Sequence, residues 1–273
     1  MKHYLYNSLA NNGIRPQMPT GVELIDAVGM DYVEYIKGLD PEDEIVLVGG
    51  DGTLNYFINA VRGTEYKNEV YFYGCGTGND FLRDIGKEPG KEVPVSAYLK
   101  NLPTVYVNGM ERLFINNMGF GIDGYCCEVA DRIKAVSPQK KIDYTGIAIK
   151  GLLIHFKPAH VVVTVDGETH EYDNAWLAPT MKGRFYGGGM MMAPDQDRNS
   201  DTLSVVVYQG RSRLKSLIAF PSVFKGEHVK KKGLVYVFRG NEISVSFSHP
   251  CAAQIDGETV LNVTEYRVSL PKS

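Results

Sequence analysis

A single carboxylate, Asp51, lies among three glycines directly after an apolar run. The run, residues 45–48, shows no polar alternation, which is typical of a strand buried on both faces of a parallel sheet. Glycines let the backbone approach an anion, and a following helix N-terminus adds about half a positive charge. Residues 49–53 therefore predict a phosphate-binding loop, although a βα loop without a ligand has the same pattern. An acid in such a loop is costly unless a cationic or proton-carrying group meets it, so Asp51 is a candidate functional residue.

A second glycine loop follows the next predicted strand. Residues 69–73 alternate as a strand does and lead into a loop at residues 74–80, which ends in Asn79 and Asp80. Loops that follow parallel strands meet at one edge of the sheet, where open α/β sheets bind ligands. In the alternative interpretation, Asn79 and Asp80 only cap a helix. Capping would not explain why glycine loops occur twice.

An α/β scaffold is needed to position these two loops. Residues 3–6 predict a first strand and residues 31–39 predict a helix. From Thr53 onward, apolar residues recur on one helical face, which predicts a second helix up to Val61. The alternation of strands and helices in this part of the chain is typical of a parallel sheet.

The texture of the sequence changes at about residue 104. Short β-branched strands follow, with one helical interlude at residues 124–155. Asp166-Gly167, between two alternating segments, is a two-residue hairpin turn. Further strands are predicted at residues 205–208, 235–238 and 243–247. Residues 104–255 therefore predict a mostly antiparallel β domain.

Composition and charge exclude several classes of protein. The 273 residues include 29 basic and 32 acidic residues, and the net charge of -3 gives no general electrostatic reason to bind nucleic acid. The four cysteines lack metal-binding spacing, so reduced thiols are expected. The N-terminus lacks the apolar core of a signal peptide. Residues 147–156 are too few to cross a bilayer, which takes about 20 apolar residues. A cytoplasmic protein is expected, with only peripheral contact to the inner membrane face.

Five motifs occur in the order found in one enzyme family. They are Gly49-Gly50-Asp51-Gly52-Thr53, Gly76-Thr77-Gly78-Asn79-Asp80-Phe81, Gly119-Phe120-Gly121-Ile122-Asp123, Tyr186-Gly187-Gly188-Gly189-Met190 with Ala193-Pro194-Asp195, and Gln254-Ile255-Asp256-Gly257-Glu258. The first resembles the nucleotide-binding motif that the diacylglycerol kinase catalytic-domain family shares with the NAD kinases. The continuation Leu54-Asn55 with Asn59 is similar to the lipid-kinase branch. By this resemblance the chain is identified as a member of the family, which includes bacterial lipid kinases related to diacylglycerol and sphingosine kinases.

The resemblance implies a fold and a division into domains. Residues 1–103 would form a three-layer Rossmann-like nucleotide domain, and residues 104–258 a mostly antiparallel β-sandwich for substrate and metal. The chain end, about residues 259–273, would return to the first domain. The active site would lie in the cleft between the domains.

The family motifs also imply roles for individual residues. Glu258 would accept the proton of the acceptor hydroxyl, with Asp256 beside it and Asp51 in contact with Mg²⁺ or the hydroxyl. Residues expected to bind ATP are Asn7, Gly49, Gly50, Asp51, Gly52, Thr53, Gly76, Thr77, Asn79 and Asp80. In contrast, the similar triplet Asp166-Gly167-Glu168 is explained by hairpin chemistry alone.

A structural Mg²⁺ in bacterial members is held by the loop that corresponds to residues 193–203. Here the implied ligands are Asp201, Ser200, Leu203 and Asp123, since hard cations prefer oxygen. Ser200 takes the place of the usual aspartate and Asp201 that of the usual glycine. The alternative is a solvated polar turn without a metal.

The resemblance favours a lipid kinase that transfers the γ-phosphate of ATP to a lipid hydroxyl, with diacylglycerol as acceptor and phosphatidic acid as product. One alternative is a NAD-kinase-like enzyme for a small alcohol, against which Asn55, Asn59 and Asn79 argue. Another is a non-catalytic nucleotide or lipid sensor. The expected partner is a lipid at a membrane surface, with no nucleic acid, and a homodimer is compatible with the resemblance. The basic cluster at residues 230–232 is either a solvated turn or a contact to anionic lipid.

Overall fold

The computed structural model describes residues 1–10, 14–76, 78–137 and 142–271. The chain divides into two compact units, Met1–Leu102 and Pro103–Ser273. In the described residues, no helix combines the length and the apolar character needed to cross a membrane.

The first unit is built around a five-stranded sheet. Its strands are β1 (Lys2–Tyr6), β2 (Leu24–Asp26), β3 (Glu44–Gly49), β4 (Val70–Gly74) and β5 (Glu92–Pro94). They lie in the order β2-β1-β3-β4-β5; the first four pair in parallel, and β5 pairs antiparallel to β4. This sheet with its helices confirms the predicted Rossmann-like α/β class.

Strand β3 occupies the centre of this sheet, and residues 45–48 are at most 1 % exposed. The continuous apolar run is explained by this position, since both faces of a central parallel strand are covered. The helices of the unit are α1 (Tyr32–Lys37), α2 (Asp51–Ala60) and α3 (Asp80–Asp84). Helix α2 begins two residues before the predicted Thr53 and buries Leu54, Phe57 and Ile58.

The second unit contains twelve strands within the described residues. They are β6 (Thr104–Val107), β7 (Met110–Leu113), β8 (Asn117–Phe120), β9 (Ala159–Val165), β10 (Glu168–Leu177), β11 (Thr180–Met181), β12 (Phe185–Tyr186), β13 (Met190–Met191), β14 (Leu203–Gln209), β15 (Val235–Gly240), β16 (Glu242–Ile255) and β17 (Glu258–Ser269). Ten of them form one sheet in which every pair is antiparallel, and β12 pairs with β13 separately. The predicted antiparallel β class is confirmed.

The chain end does not return to the first unit, so that expectation needs correction. Strand β17 pairs with β16 along most of its length and with β6 at its end. Val263, Tyr266 and Val268 are at most 2 % exposed and belong to the same core as β8 and β14. These apolar side chains hold residues 258–269 in the second unit.

Helices cover part of this sheet. Helix α4 (Ile122–Val136) is followed by α5 (Tyr144–Lys150), which continues into a π-helical turn, Gly151–His155. Helix α6 (Arg213–Ala219) and the 3₁₀ segments Phe220–Lys225 and Glu227–Lys230 form a second helical segment that the sequence analysis did not predict. Strand β14 joins two cores: Leu203, Val205 and Val207 pack within the sheet core, and its alternate residues pack in the cluster that includes the helices.

Candidate active site

The two glycine loops of the first unit pack backbone against backbone. The amides of Cys75 and Gly76 both donate to the carbonyl oxygen of Gly49, at 2.9 and 3.2 Å. A Cβ atom added to Gly76 would lie 2.7 Å from the Cα atom of Gly50, closer than real side chains approach. The loops after β3 and β4 therefore meet at a point where Gly50 and Gly76 leave no room for a side chain, as expected from two loops at one sheet edge.

Asp51 links the two loops. Its carboxylate accepts a hydrogen bond from the amide of Asp80 at 2.8 Å and a longer one from the amide of Phe81 at 3.4 Å. The amide of Asp51 is 3.4 Å from the carbonyl oxygen of Gly78. Asp51 thus sits in the first turn of α2 and binds the exposed amides at the start of α3. Its carboxylate therefore holds the end of the second loop in place through two backbone hydrogen bonds.

Asn79 is not the side-chain cap that the alternative interpretation required. It occupies the N-cap position of α3 but makes no side-chain cap hydrogen bond. Its Nδ2 donates instead to the carbonyl oxygen of Gly76 at 2.7 Å. Asp80 begins the helix and is 5 % exposed. Asp51 caps the helix instead, from a position 29 residues earlier in the chain, where no local capping pattern could reveal it.

Gly52 differs from the other glycines of the first loop. It lies on an exposed turn of α2 without a positive φ angle, and an added Cβ atom would have no neighbour within 4 Å. At Gly49, in contrast, an added Cβ atom would collide with the side chain of Thr53. The chain itself therefore explains glycine at position 49 but not at position 52.

Asn7 follows β1, the neighbour of β3 in the sheet. Its Oδ1 accepts a hydrogen bond from the amide of Leu9 at 2.8 Å, and its carbonyl oxygen accepts one from Ala10. This side chain therefore shapes its own turn. The predicted ATP contact Thr77 and residues 11–13 lie outside the described residues.

In the second unit, Asp256 binds three successive backbone amides. Its carboxylate accepts from Ile115 at 2.6 Å and from Asn116 and Asn117 at 2.9 Å each. The Asp256 amide donates back to the carbonyl oxygen of Asn117. Asp256 therefore holds the segment that enters β8, which makes it a positioning residue in this structure.

Glu258 stands beside it at the start of β17. Its side chain is 46 % exposed, and Oε2 lies 2.6 Å from Nη1 of Arg112 on β7. Arg112 has no signal in the sequence, because a lone arginine in a short strand is common. The structure supplies the reason to single it out.

The two Asp-Gly-Glu triplets have the same local conformation. Both are two-residue hairpin turns: Asp166 and Gly167 have φ angles of 48° and 90°, and Asp256 and Gly257 have 47° and 93°. Asp166 also accepts hydrogen bonds from backbone amides, those of Asn241 and Glu242. Hairpin chemistry explains the conformation of both turns. The second turn differs in the arginine partner of Glu258 and in the three amides that Asp256 binds.

Comparison with known proteins agrees with these two units. Residues 26–104 match the model of the Diacylglycerol kinase catalytic domain, and residues 116–272 match the YegS C-terminal NAD kinase beta sandwich-like domain. The chain belongs to the diacylglycerol kinase catalytic-domain family.

Alignments with similar proteins cover most of this chain. A diacylglycerol kinase of Mycobacterium tuberculosis is 27% identical over 226 residues, which cover 77% of this chain and 71% of that protein. A diacylglycerol kinase of Bacillus subtilis is 24% identical over 227 residues, covering 79% and 71%. The crystal structure of a candidate diacylglycerol kinase of Bacillus anthracis gives a TM-score of 0.70 at 19% identity, covering 99% of this chain and 94% of that one. The last likeness shows a shared fold.

The oxygen donors of the acidic loop of this family member are largely engaged by other groups of the chain. Within the described ranges, no three carboxylate, histidine or cysteine side chains are grouped so that they could hold a metal ion. The hydroxyl of Ser200 is hydrogen-bonded to the carbonyl oxygens of Asp197 and Thr202. Asp201 is exposed, and Leu203 is the first residue of β14.

Nitrogen donors hold the loop instead. Lys182, 5 % exposed, donates from Nζ to the carbonyl oxygen of Ser200 at 3.1 Å. Burial lowers the pKa of this lysine, nearby Arg198 lowers it further, and two aspartates of the loop oppose them. The side-chain nitrogen Nε2 of Gln196 donates to the carbonyl oxygens of Asp197 and Thr202, at 2.9 Å each. A divalent cation would compete with these donors and be repelled by Lys182 and Arg198, so the residues present do not fit the predicted ion.

Asp123, the remaining predicted metal ligand, lies in a different environment. It is 8 % exposed on the first turn of α4, its Oδ1 accepts from the amide of Gly124, and its Oδ2 packs beside Gly119 and Gln254. Burial raises the pKa of Asp123 to about 6, while hydrogen bonds from the amide of Gly124 and the side chain of Gln254 oppose this rise. Asp123 is thus a buried acid between α4 and the sheet.

Proposed function

We propose that the chain is a kinase that transfers the γ-phosphate of ATP, with Mg²⁺, to the hydroxyl of diacylglycerol. The observation that carries this proposal is the packing of the two glycine loops, which Asp51 ties together at the carboxyl ends of β3 and β4. Phosphoryl transfer requires phosphates to be held in a fixed position more than it requires covalent chemistry from the protein. The choice of acceptor rests on the names of the relatives from Mycobacterium tuberculosis and Bacillus subtilis.

The first glycine loop offers the nucleotide a site at the start of α2. Helix α2 has ten residues, and its N-cap residue, Gly50, provides no side chain to satisfy the first amides. Gly52 leaves the helix surface open where an anion would approach. Backbone amides and the helix dipole favour phosphate at such a position. Close phosphate approach supplies the reason for glycine at position 52.

Asp51 fits the role of a residue that would hold Mg²⁺. Its carboxylate lies between the two glycine loops, where it accepts hydrogen bonds from the amides of Asp80 and Phe81. When bound, Mg²⁺ would neutralise phosphate charge. The contribution of the chain is to fix the carboxylate in relation to both loops.

Glu258 is the proposed general base. Its carboxylate takes the proton of the acceptor hydroxyl as the hydroxyl oxygen bonds to the γ-phosphorus. The bond from that phosphorus to the β–γ bridging oxygen breaks, and ADP leaves. Arg112 orients the carboxylate through the 2.6 Å ion pair, and Asp256 fixes the turn that carries it. Asp256 does not itself take the proton in this proposal.

ATP consumption should be measured with diacylglycerol, monoacylglycerol, sphingosine, undecaprenol and NAD as separate acceptors. We expect turnover with diacylglycerol in the presence of Mg²⁺. Turnover with NAD alone would replace this proposal with a NAD-kinase-like activity. Binding of ATP without turnover of any acceptor would indicate a nucleotide sensor.

A further inference from the structure

Five large apolar side chains are exposed on the helical segments of the second unit. They are Leu153 and Ile154 on the π-helical turn, Leu214 and Ile218 on α6, and Phe224 on the following 3₁₀ segment, with exposures between 40 % and 71 %. Exposed apolar residues are ordinary when scattered, but clusters of them mark interaction sites. We call this set the helical face.

The elements that carry the helical face lie next to one another. The π-helical turn contacts α6, and α6 contacts the 3₁₀ segment. Nη1 of Arg213 donates to the carbonyl oxygen of Leu152 at 2.9 Å. The same elements bury Leu152, Ala219 and Val223 in the core shared with Trp176. They are therefore anchored in the core of the second unit while the five apolar side chains are exposed to solvent.

The charge on these elements has one sign. Residues 144–157 and 211–226 contain six lysines and arginines and no aspartate or glutamate, although the whole chain has 32 acids in 273 residues. Lys150, Lys157, Lys215 and Lys225 are exposed beside the apolar side chains. The nearest acids in sequence, Asp143 and Glu227, flank the two segments. Such a separation of charge does not follow from the overall composition, which is slightly acidic.

We propose that the helical face docks on an anionic phospholipid bilayer. Apolar side chains on short helices enter the boundary between headgroups and acyl chains, and basic side chains bind the anionic headgroups. A second copy of this chain fits the face poorly, because two faces with six basic residues and no acid would repel each other. The proposal rests on the proposed function, since a kinase that acts on diacylglycerol must reach a lipid hydroxyl at the surface of a bilayer.

The first test is sedimentation with vesicles of phosphatidylcholine alone or with phosphatidylglycerol added. We expect binding to the anionic vesicles, weakened by salt. Ile218→Asp should weaken that binding at least tenfold. Leu261→Asp is the matched control, since Leu261 is 52 % exposed on β17, away from the helical face. Both side chains are exposed, so both variants should keep the melting temperature of the wild type.

Charge reversal provides the second test. Lys215→Glu with Lys225→Glu should also weaken binding at least tenfold, whereas Lys91→Glu, at a lysine 76 % exposed in the first unit, should not. Equal binding by wild type, Ile218→Asp and the double variant would overturn the proposal. So would a wild-type dimer that Ile218→Asp converts to a monomer, because the face would then join two copies.

The proposed function can fail separately. Turnover of a water-dispersed short-chain diacylglycerol needs no bilayer, so Ile218→Asp should leave it unchanged. If the wild type lacks turnover of this acceptor, the kinase proposal fails. If turnover is present but vesicle binding ignores the substitutions, only the docking proposal fails.

Discussion

Asp256→Ala should destabilise the second unit, because it removes the acceptor for three backbone amides. A hydrogen bond to a charged group contributes about 1.5 to 3 kcal/mol, and the lower end applies at this half-buried site. Three such bonds at about 1.5 kcal/mol each give a loss of about 4.5 kcal/mol. An alanine with positive φ adds roughly 1 kcal/mol.

Asp166→Ala is the matched control for that substitution. It removes an aspartate from the same kind of turn, at a φ angle of 48° against 47°, so the cost of alanine in the left-handed region cancels. Asp166 accepts from only two residues and is exposed. We expect Asp256→Ala to cost about 2 kcal/mol more than Asp166→Ala, the contribution of one extra charged hydrogen bond and its burial.

Urea denaturation followed by tryptophan fluorescence measures this difference directly. The chain has one tryptophan, and Trp176 is 1 % exposed in the second unit, so its emission reports unfolding of that unit. The midpoint should be clearly lower for Asp256→Ala than for Asp166→Ala, with similar slopes. Equal midpoints, together with loss of activity in Asp256→Ala alone, would show that Asp256 acts in the chemistry and that its positioning role is wrong.

Five further substitutions test other parts of the molecule. Glu258→Gln should lower the turnover number about 10²- to 10⁴-fold, the usual contribution of a general base, while Glu168→Gln should leave it near normal. The reverse result would show that the acceptor binds at the turn of Glu168 and not at that of Glu258. Gly76→Ala should destabilise the first unit by about 1 to 3 kcal/mol, because the added Cβ atom would collide with Gly50. Gly52→Ala should keep the melting temperature of the wild type but weaken ATP binding in calorimetry. Unchanged ATP affinity in Gly52→Ala would exclude phosphate from that position. The raised pKa of Asp123 means that the folded state disfavours the charged form of this residue, so stability should fall as pH rises from about 4 through about 6. Asp123→Asn should remove this dependence, with a gain in stability of up to about 3 kcal/mol above pH 6 and none near pH 4. Parallel profiles of stability against pH for the wild type and the variant, measured in urea, would contradict the assignment.

Local patterns predicted the elements that local physics decides. The unbroken apolar run at residues 45–48 indicated a strand covered on both faces, and it is the central strand. The Asp166-Gly167 hairpin followed from turn chemistry alone. Glycine loops after two parallel strands were expected at one sheet edge, and they touch there.

Contacts between distant residues could not be predicted in the same way. Asp51 caps a helix that begins 29 residues later, and Asp256 binds amides about 140 residues earlier in the chain. The two Asp-Gly-Glu triplets have the same local conformation and differ in contacts with distant residues. One such contact is Arg112, whose position depends on the pairing of β6 with β7 and β17. Lys182 lies outside the acidic loop and donates a hydrogen bond to Ser200 within it, which no pattern within residues 193–203 could reveal.

Transfer of labelled γ-phosphate from ATP to diacylglycerol tests the central claim most directly. The purified chain would be incubated with γ-labelled ATP, Mg²⁺ and a water-dispersed diacylglycerol, and the label would be followed into the extracted lipid. We expect label in phosphatidic acid for the wild type and for Glu168→Gln, and a loss of about 10²- to 10⁴-fold for Glu258→Gln. Label that appears only as free phosphate, or equally in the lipid with Glu258→Gln, would contradict the account.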